Sequence, residues 1–110
     1  LFENLVVTEL VKSRYNRVQR NNLMFFRDAK GHEVDLLVPS GDRIVPIEIK
    51  SAATFRSAFL RGIAYFQEYI QPGPPGIVVY GGDRTEERSG GHVCTPFSLT
   101  ETMRAALGEN

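Results

Sequence analysis

Apolar side chains recur along the chain with different periods, and each change of period marks a new element. Phe2, Leu5, Val6 and Leu10 stand at helical spacing, which predicts a helix over residues 1–18, closed by Asn16 and the Asn21–Asn22 pair. Residues 23–27, with adjacent Phe25 and Phe26, read as a short strand that turns at least one ring to the core. Val34, Leu36 and Val38 alternate over residues 32–38, and Ile47 and Ile49 alternate with Glu48 and Lys50 over residues 43–50. Pro39, Ser40, Gly41 and Asp42 join these two strands as a hairpin.

Phe55, Phe59, Ile63, Phe66 and Ile70 then form a core-facing stripe, predicting a helix over residues 55–70 that Pro72, Pro74 and Pro75 stop. Gly76 to Tyr80 is an unbroken apolar run, as expected of a strand buried on both faces. Residues 81–91 carry five charges and read as a flexible polar loop. A short strand over 92–97 and a helix over 98–107 close the chain, with Ser98 or Thr100 as N-cap and Glu101 in the first turn. The order implies an α/β fold: a mixed sheet made of a three-strand meander, a crossover helix and a buried strand, with helices on both faces.

Composition narrows this further. A chain of 110 residues with 42% hydrophobic content suits one globular domain. No apolar run approaches the roughly 20 residues of a membrane span, and Glu3 and Asn4 interrupt the first apolar stretch, so no signal peptide is expected. Cys94 is alone, which excludes an internal disulfide and fits a reducing, cytoplasmic setting. With only His32 and His92 beside it, a Cys/His zinc centre is not expected. The chain begins at Leu1 without a Met and reads as a piece of a longer protein.

Thirteen basic and thirteen acidic residues cancel, but not evenly along the chain. Lys12, Arg14, Arg17, Arg20, Arg27 and Lys30 face Asp28 alone between positions 12 and 30. Such a zone attracts phosphate; basic residues near a helix C-terminus also favour the helix dipole.

The chemistry concentrates in G-H-E-V-D-L-L-V (31–38) and I-E-I-K-S (47–51). Glu48 and Lys50 are two apart on a strand and share a face. A hairpin centred between Gly41 and Asp42 sets Asp35 opposite Glu48. Two readings follow. The trio is a cross-strand ion pair on a solvated face, or its carboxylates hold Mg²⁺ or Mn²⁺ through hard oxygen ligands while Lys50 meets phosphate charge. His32 and His92 read as ordinary strand residues, Cys94 as a small buried hydrophobe, Ser51 as a strand-end hydroxyl, and Glu33 as an acid beside Asp35.

The V-D-L-L-V and I-E-I-K-S segments, in the order helix, three strands, helix, strand, resemble the PD-(D/E)xK nuclease superfamily. More narrowly, L-F-E-N-L-V-V-T-E-L, F-F-R-D-x-x-G-H-E-V-D-L-L-V and I-E-I-K-S resemble a C-terminal domain that follows an AAA-type ATPase domain in prokaryotes. The resemblance covers about residues 1–80 and implies a restriction-endonuclease-like αβββαβ core. It implies Mg²⁺- or Mn²⁺-dependent hydrolysis of DNA, with Asp35 and Glu48 on the metal and Lys50 assisting. A first-helix glutamate completes the site in such proteins. Glu3, seven residues before Leu10, is favoured over Glu9, about 120° away on the helix. Arg14, Arg17, Arg20, Arg27 and Lys30 would follow the DNA backbone without reading sequence. Gln67 and Tyr69 lie where some members carry helpful Gln and Tyr residues. ATP would bind only the ATPase domain, since this chain has no G-x-x-x-x-G-K-[ST] motif. The alternative is a non-catalytic module of the same fold that binds nucleic acid or protein and regulates the ATPase. Oligomerisation stays open under either.

Overall fold

The computed structural model of the protein describes residues 1–12 and 23–109. Three strands form an antiparallel meander: β1 (Met24–Arg27), β2 (Glu33–Ser40) and β3 (Arg43–Lys50). The β2–β3 turn is tight, with Ser40 opposite Arg43 and Gly41 at φ +63°, a conformation that costs glycine little. The chain then crosses to β4 (Ile77–Tyr80), which pairs parallel to β3, and β6 (Gly91–Cys94) pairs parallel to β4. β5 (Glu86–Arg88) lies antiparallel to β6, giving the order β1-β2-β3-β4-β6-β5. Residues 81–91, expected as an uninterrupted loop, thus contain an edge strand. Its Glu-Glu-Arg sequence has no apolar alternation to announce it.

Each face of the sheet carries its own core. On one, α1 (Phe2–Lys12) presents Val6 and Leu10, and α3 (Leu99–Ala106) presents Leu99, Met103 and Ala106, against Val38, Val45, Ile47, Ile77, Val79 and Cys94. On the other, α2 (Arg61–Tyr65) sets Ile63 against Val78, Tyr80 and Val93. The strict alternation along β4 feeds both cores, so its unbroken apolar sequence is what a central parallel strand requires. Phe66 packs with Val34 and Leu37, joined by Phe26, while Phe25 on the same strand is exposed. Burying each such aliphatic or aromatic side chain contributes about 1.5–3 kcal/mol. The result is a mixed α/β fold with helices on both faces of a six-stranded sheet.

The helix expected over 55–70 is three pieces: a 3₁₀ turn at Ser57–Leu60, α2, and a π turn at Phe66–Ile70. The wider π turn rotates the last residues off the apolar stripe. Ile70, expected in the core, is therefore 49% exposed. The part of the first predicted helix beyond Lys12 lies outside the described residues. At the C-terminal end, a capping box between Thr95 and Ser98 starts a 3₁₀ turn that leads into α3.

Candidate functional site

The β2–β3 backbone ladder runs from Ser40–Arg43 to Leu36–Ile47. The next pair in that register is Asp35 and Glu48, and there the side chains take over. The Asp35 N–H donates to Glu48 Oε1 at 3.1 Å, and the Ile49 N–H donates to Asp35 Oδ2 at 2.8 Å. Two carboxylates are thus set into the gap where the strands part. Lys50, two residues on from Glu48, turns back to the same place, with Nζ 3.6 Å from Glu48 Oε2. Its ammonium also lies 5.6 Å from the centre of the Phe59 ring.

Glu48 is only 6% exposed. Burial pushes its pKa up to about 7, and the charge of Asp35 adds to the shift. The Asp35 N–H and the Lys50 ammonium pull the other way without cancelling it. Glu48 consequently changes protonation near neutral pH. Helix α2 touches the same spot through Gly62, whose missing side chain leaves room for the Glu33 carbonyl and for Glu48 Oε1.

Asp35 also lines a cleft of about 400 Å³ with Glu3, Glu33 and the β1 residues Phe25 and Arg27. Glu3 and Asp35 therefore open onto one space. Glu9 does not line that cleft; it pairs with Lys12 at 3.1 Å. Among the described residues, no group of three or more His, Cys, Asp or Glu side chains is placed to hold a metal ion. The hard-oxygen donors come as the pair Asp35 and Glu48, with Glu3 on the cleft that Asp35 lines.

Arg27 sits at the cleft edge and pairs with Glu33 at 3.4 Å. Lys30 lies in the following turn, where its N–H donates to Asp28 Oδ1. Arg14, Arg17 and Arg20 lie outside the described residues. Gln67 Nε2 donates to the Pro74 carbonyl at 2.6 Å, and Tyr69 stands out from the surface. His92 and Cys94 are buried in β6, and burial pushes the Cys94 thiol up to about 11. Ser51 is exposed just past β3.

One cluster escaped the sequence reading. Asp28 Oδ1 accepts the His32 N–H at 2.9 Å, Oδ2 lies 3.0 Å from His32 Nδ1, and the His32 ring stacks on Tyr65 with centroids 3.6 Å apart. The signal available was an Asp four residues before a His across Gly31, at φ +90°. The partner Tyr65 comes from α2, and no local pattern ties it to β2.

No helix among the described residues is long and apolar enough to cross a membrane. No curated protein and no solved structure matches the chain. A family profile, that of a domain of unknown function designated DUF4143, matches residues 1–100. The paired carboxylates, the lysine beside them and the two-faced mixed sheet are thus features of a member of the DUF4143 family, whose domains are found at the C-terminus of AAA ATPases.

Proposed function

We propose that this domain hydrolyses phosphodiester bonds in DNA with the help of Mg²⁺ or Mn²⁺, as a nuclease-like module attached to an AAA-type ATPase. The observation that carries this reading is the meeting of Asp35, Glu48 and Lys50 where β2 and β3 part. The donor set fits a hard divalent cation: Mg²⁺ is commonly held by one or two carboxylates, with water and substrate phosphate filling the other positions. Asp35 and Glu48 would hold it, and Glu3 lines the same cleft as Asp35. Such an ion supplies charge stabilisation at the phosphate and a more acidic water.

The chain's own groups account for the rest. Lys50 offsets the negative charge that builds on the phosphate oxygens. A water gives up a proton to solvent as its oxygen bonds to phosphorus, the bond to the leaving oxygen breaks, and the leaving oxygen takes up a proton from solvent. Arg27 and Lys30, with Arg14, Arg17 and Arg20, would contact the DNA backbone.

Mn²⁺ titration calorimetry on the wild type and on Asp35→Asn/Glu48→Gln tests this, with folding checked by circular dichroism. About one ion bound per chain and lost in the variant is expected, together with DNA cleavage that the variant abolishes. A folded wild type that binds no Mn²⁺ even with a short duplex present sinks the proposal.

A second reading draws on the same contacts. Asp35 and Glu48 both accept backbone N–H groups across the hairpin, which is a structural task. On that reading the domain is a non-catalytic module that binds nucleic acid or protein and regulates the ATPase. Changing Arg27 and Lys30 would then alter partner affinity while the carboxylate variants leave it unmoved.

A further inference from the structure

The His32 ring lies flat on Tyr65, with centroids 3.6 Å apart and planes within 3°. Tyr65 in turn meets Tyr69, centroids 5.0 Å apart, and Tyr69 is 65% exposed. The array runs from the flat His32–Tyr65 pair to Tyr69, which is tilted by 46° and reaches the surface. Asp28 holds His32 in place by accepting from the His32 and Lys30 backbones, with its second oxygen at the His32 ring. Phe26 supports Tyr65 from the sheet, centroids 6.3 Å apart. A surface side chain gains little from so many fixed contacts unless a rigid ring is itself useful, because ordering it costs entropy.

The array also lies close to the carboxylates. Gly62 sits against the Glu33 carbonyl and 3.7 Å from Glu48 Oε1, measured from where its Cβ would be. Tyr65 follows three residues later, about 4.5 Å of helix rise, and His32 precedes Glu33 in the chain. An exposed ring backed by a stacked pair, beside a group suited to phosphodiester chemistry, matches what an unpaired nucleotide presents: a π face and a phosphate. A duplex hides its base faces within its own stack and offers only edges and backbone.

We propose that Tyr69, Tyr65 and His32 form a stacking platform for the unpaired bases of single-stranded nucleic acid, which directs the neighbouring site to single strands. The proposal rests on the phosphodiesterase reading for its biological sense, but base binding is measurable without cleavage. The chain has no Trp and four Tyr, two of them in the array, so intrinsic emission reports a base stacking on Tyr69.

The test titrates the purified protein, in EDTA, with three probes of equal length: single-stranded oligodeoxyadenylate, an abasic strand, and a duplex. Fluorescence anisotropy of labelled probes and quenching of tyrosine emission are both followed. The oligodeoxyadenylate is expected to bind about tenfold or more tighter than either control, as stacking energies imply. Tyr69→Ala should lose that margin and Tyr69→Phe keep it, both folded by circular dichroism. Equal binding of the abasic strand, preference for the duplex, binding of no probe, or no change in folded Tyr69→Ala overturns the platform. Base-dependent binding without Mn²⁺-dependent cleavage removes the phosphodiesterase reading and leaves the platform standing. Cleavage without base dependence does the reverse.

Discussion

Asp35 and Glu48 exchange main-chain hydrogen bonds across the β2–β3 hairpin: the Asp35 N–H donates to the Glu48 carboxylate, and the Asp35 carboxylate accepts the N–H of Ile49, the neighbour of Glu48. The two side chains do what the ladder does elsewhere, and they do it beside the Lys50 ammonium. Carboxylates used this way are fixed in position, which suits a site and also makes them structural.

Separating those roles gives the first prediction. Asp35→Asn retains an oxygen for the Ile49 N–H, so its stability is expected to stay within about 1 kcal/mol of wild type. Asp35→Ala leaves that N–H without an acceptor and is expected to cost about 1–3 kcal/mol. Urea denaturation of the two variants checks the difference; equal losses would show that the hydrogen bond to Ile49 contributes nothing.

Glu48 makes stability depend on pH. Its pKa is raised from 4.5 to about 7, so the folded protein favours the protonated form. The contribution is fully present below about pH 4.5 and is lost as pH rises through about 7. Glu48→Gln stays uncharged and keeps an acceptor for the Asp35 N–H. It is expected to match wild type near pH 4 and to exceed it at pH 8 by about 1–3 kcal/mol. Chemical denaturation at both pH values measures this, and a variant no more stable than wild type at pH 8 would contradict it.

Much of this arrangement was legible in the sequence because it is local. Alternation along 36–40 and 43–50, with a two-residue turn at Gly41 and Asp42, fixes a register by symmetry, and that register is the one found from Ser40–Arg43 to Leu36–Ile47. The expected single face for Val34, Leu36 and Val38 fails where the β1–β2 pairing shifts register: Val34 packs with Leu37 and Phe66, while Leu36 and Val38 join the opposite core. The unbroken Ile77–Tyr80 run likewise announces a strand covered on both faces. What stayed hidden depends on tertiary contact or on a change of helical pitch. The π turn at Phe66–Ile70 carries no residue signature, so the apolar stripe was followed one residue too far, to Ile70. The stack of His32 on Tyr65 joins a strand entry to a helix thirty-odd positions away. Helical spacing also left Glu3 and Glu9 as rivals; the structure sets Glu3 on the Asp35 cleft and Glu9 beside Lys12.

Gly62 is the contact point between α2 and the site. A Cβ there would collide with the Glu33 carbonyl oxygen and come 3.7 Å from Glu48 Oε1. The obstacle is backbone in β2, which has no rotamer to escape into. Gly62→Ala is therefore expected to destabilise the fold by about 1–3 kcal/mol, despite alanine's better helix propensity. A urea midpoint equal to wild type would mean that α2 lifts from the sheet at little cost.

The raised pKa of Glu48 also bears on metal binding. Below about pH 7 the folded protein holds a proton on Glu48, placed there by burial and by the charge of Asp35. A divalent cation between the carboxylates competes with that proton, so binding must release it. Mn²⁺ affinity is expected to climb about tenfold per pH unit up to about pH 7 and to level off above it. Calorimetry near pH 6 in two buffers of different ionisation enthalpy should return close to one proton released per ion bound, and Glu48→Gln should abolish that release. Lys50→Ala removes a group that lowers the Glu48 pKa, so it should shift the bend to higher pH. Binding that is flat from pH 5 to pH 8 would place the ion away from Glu48, and with it the proposed chemistry.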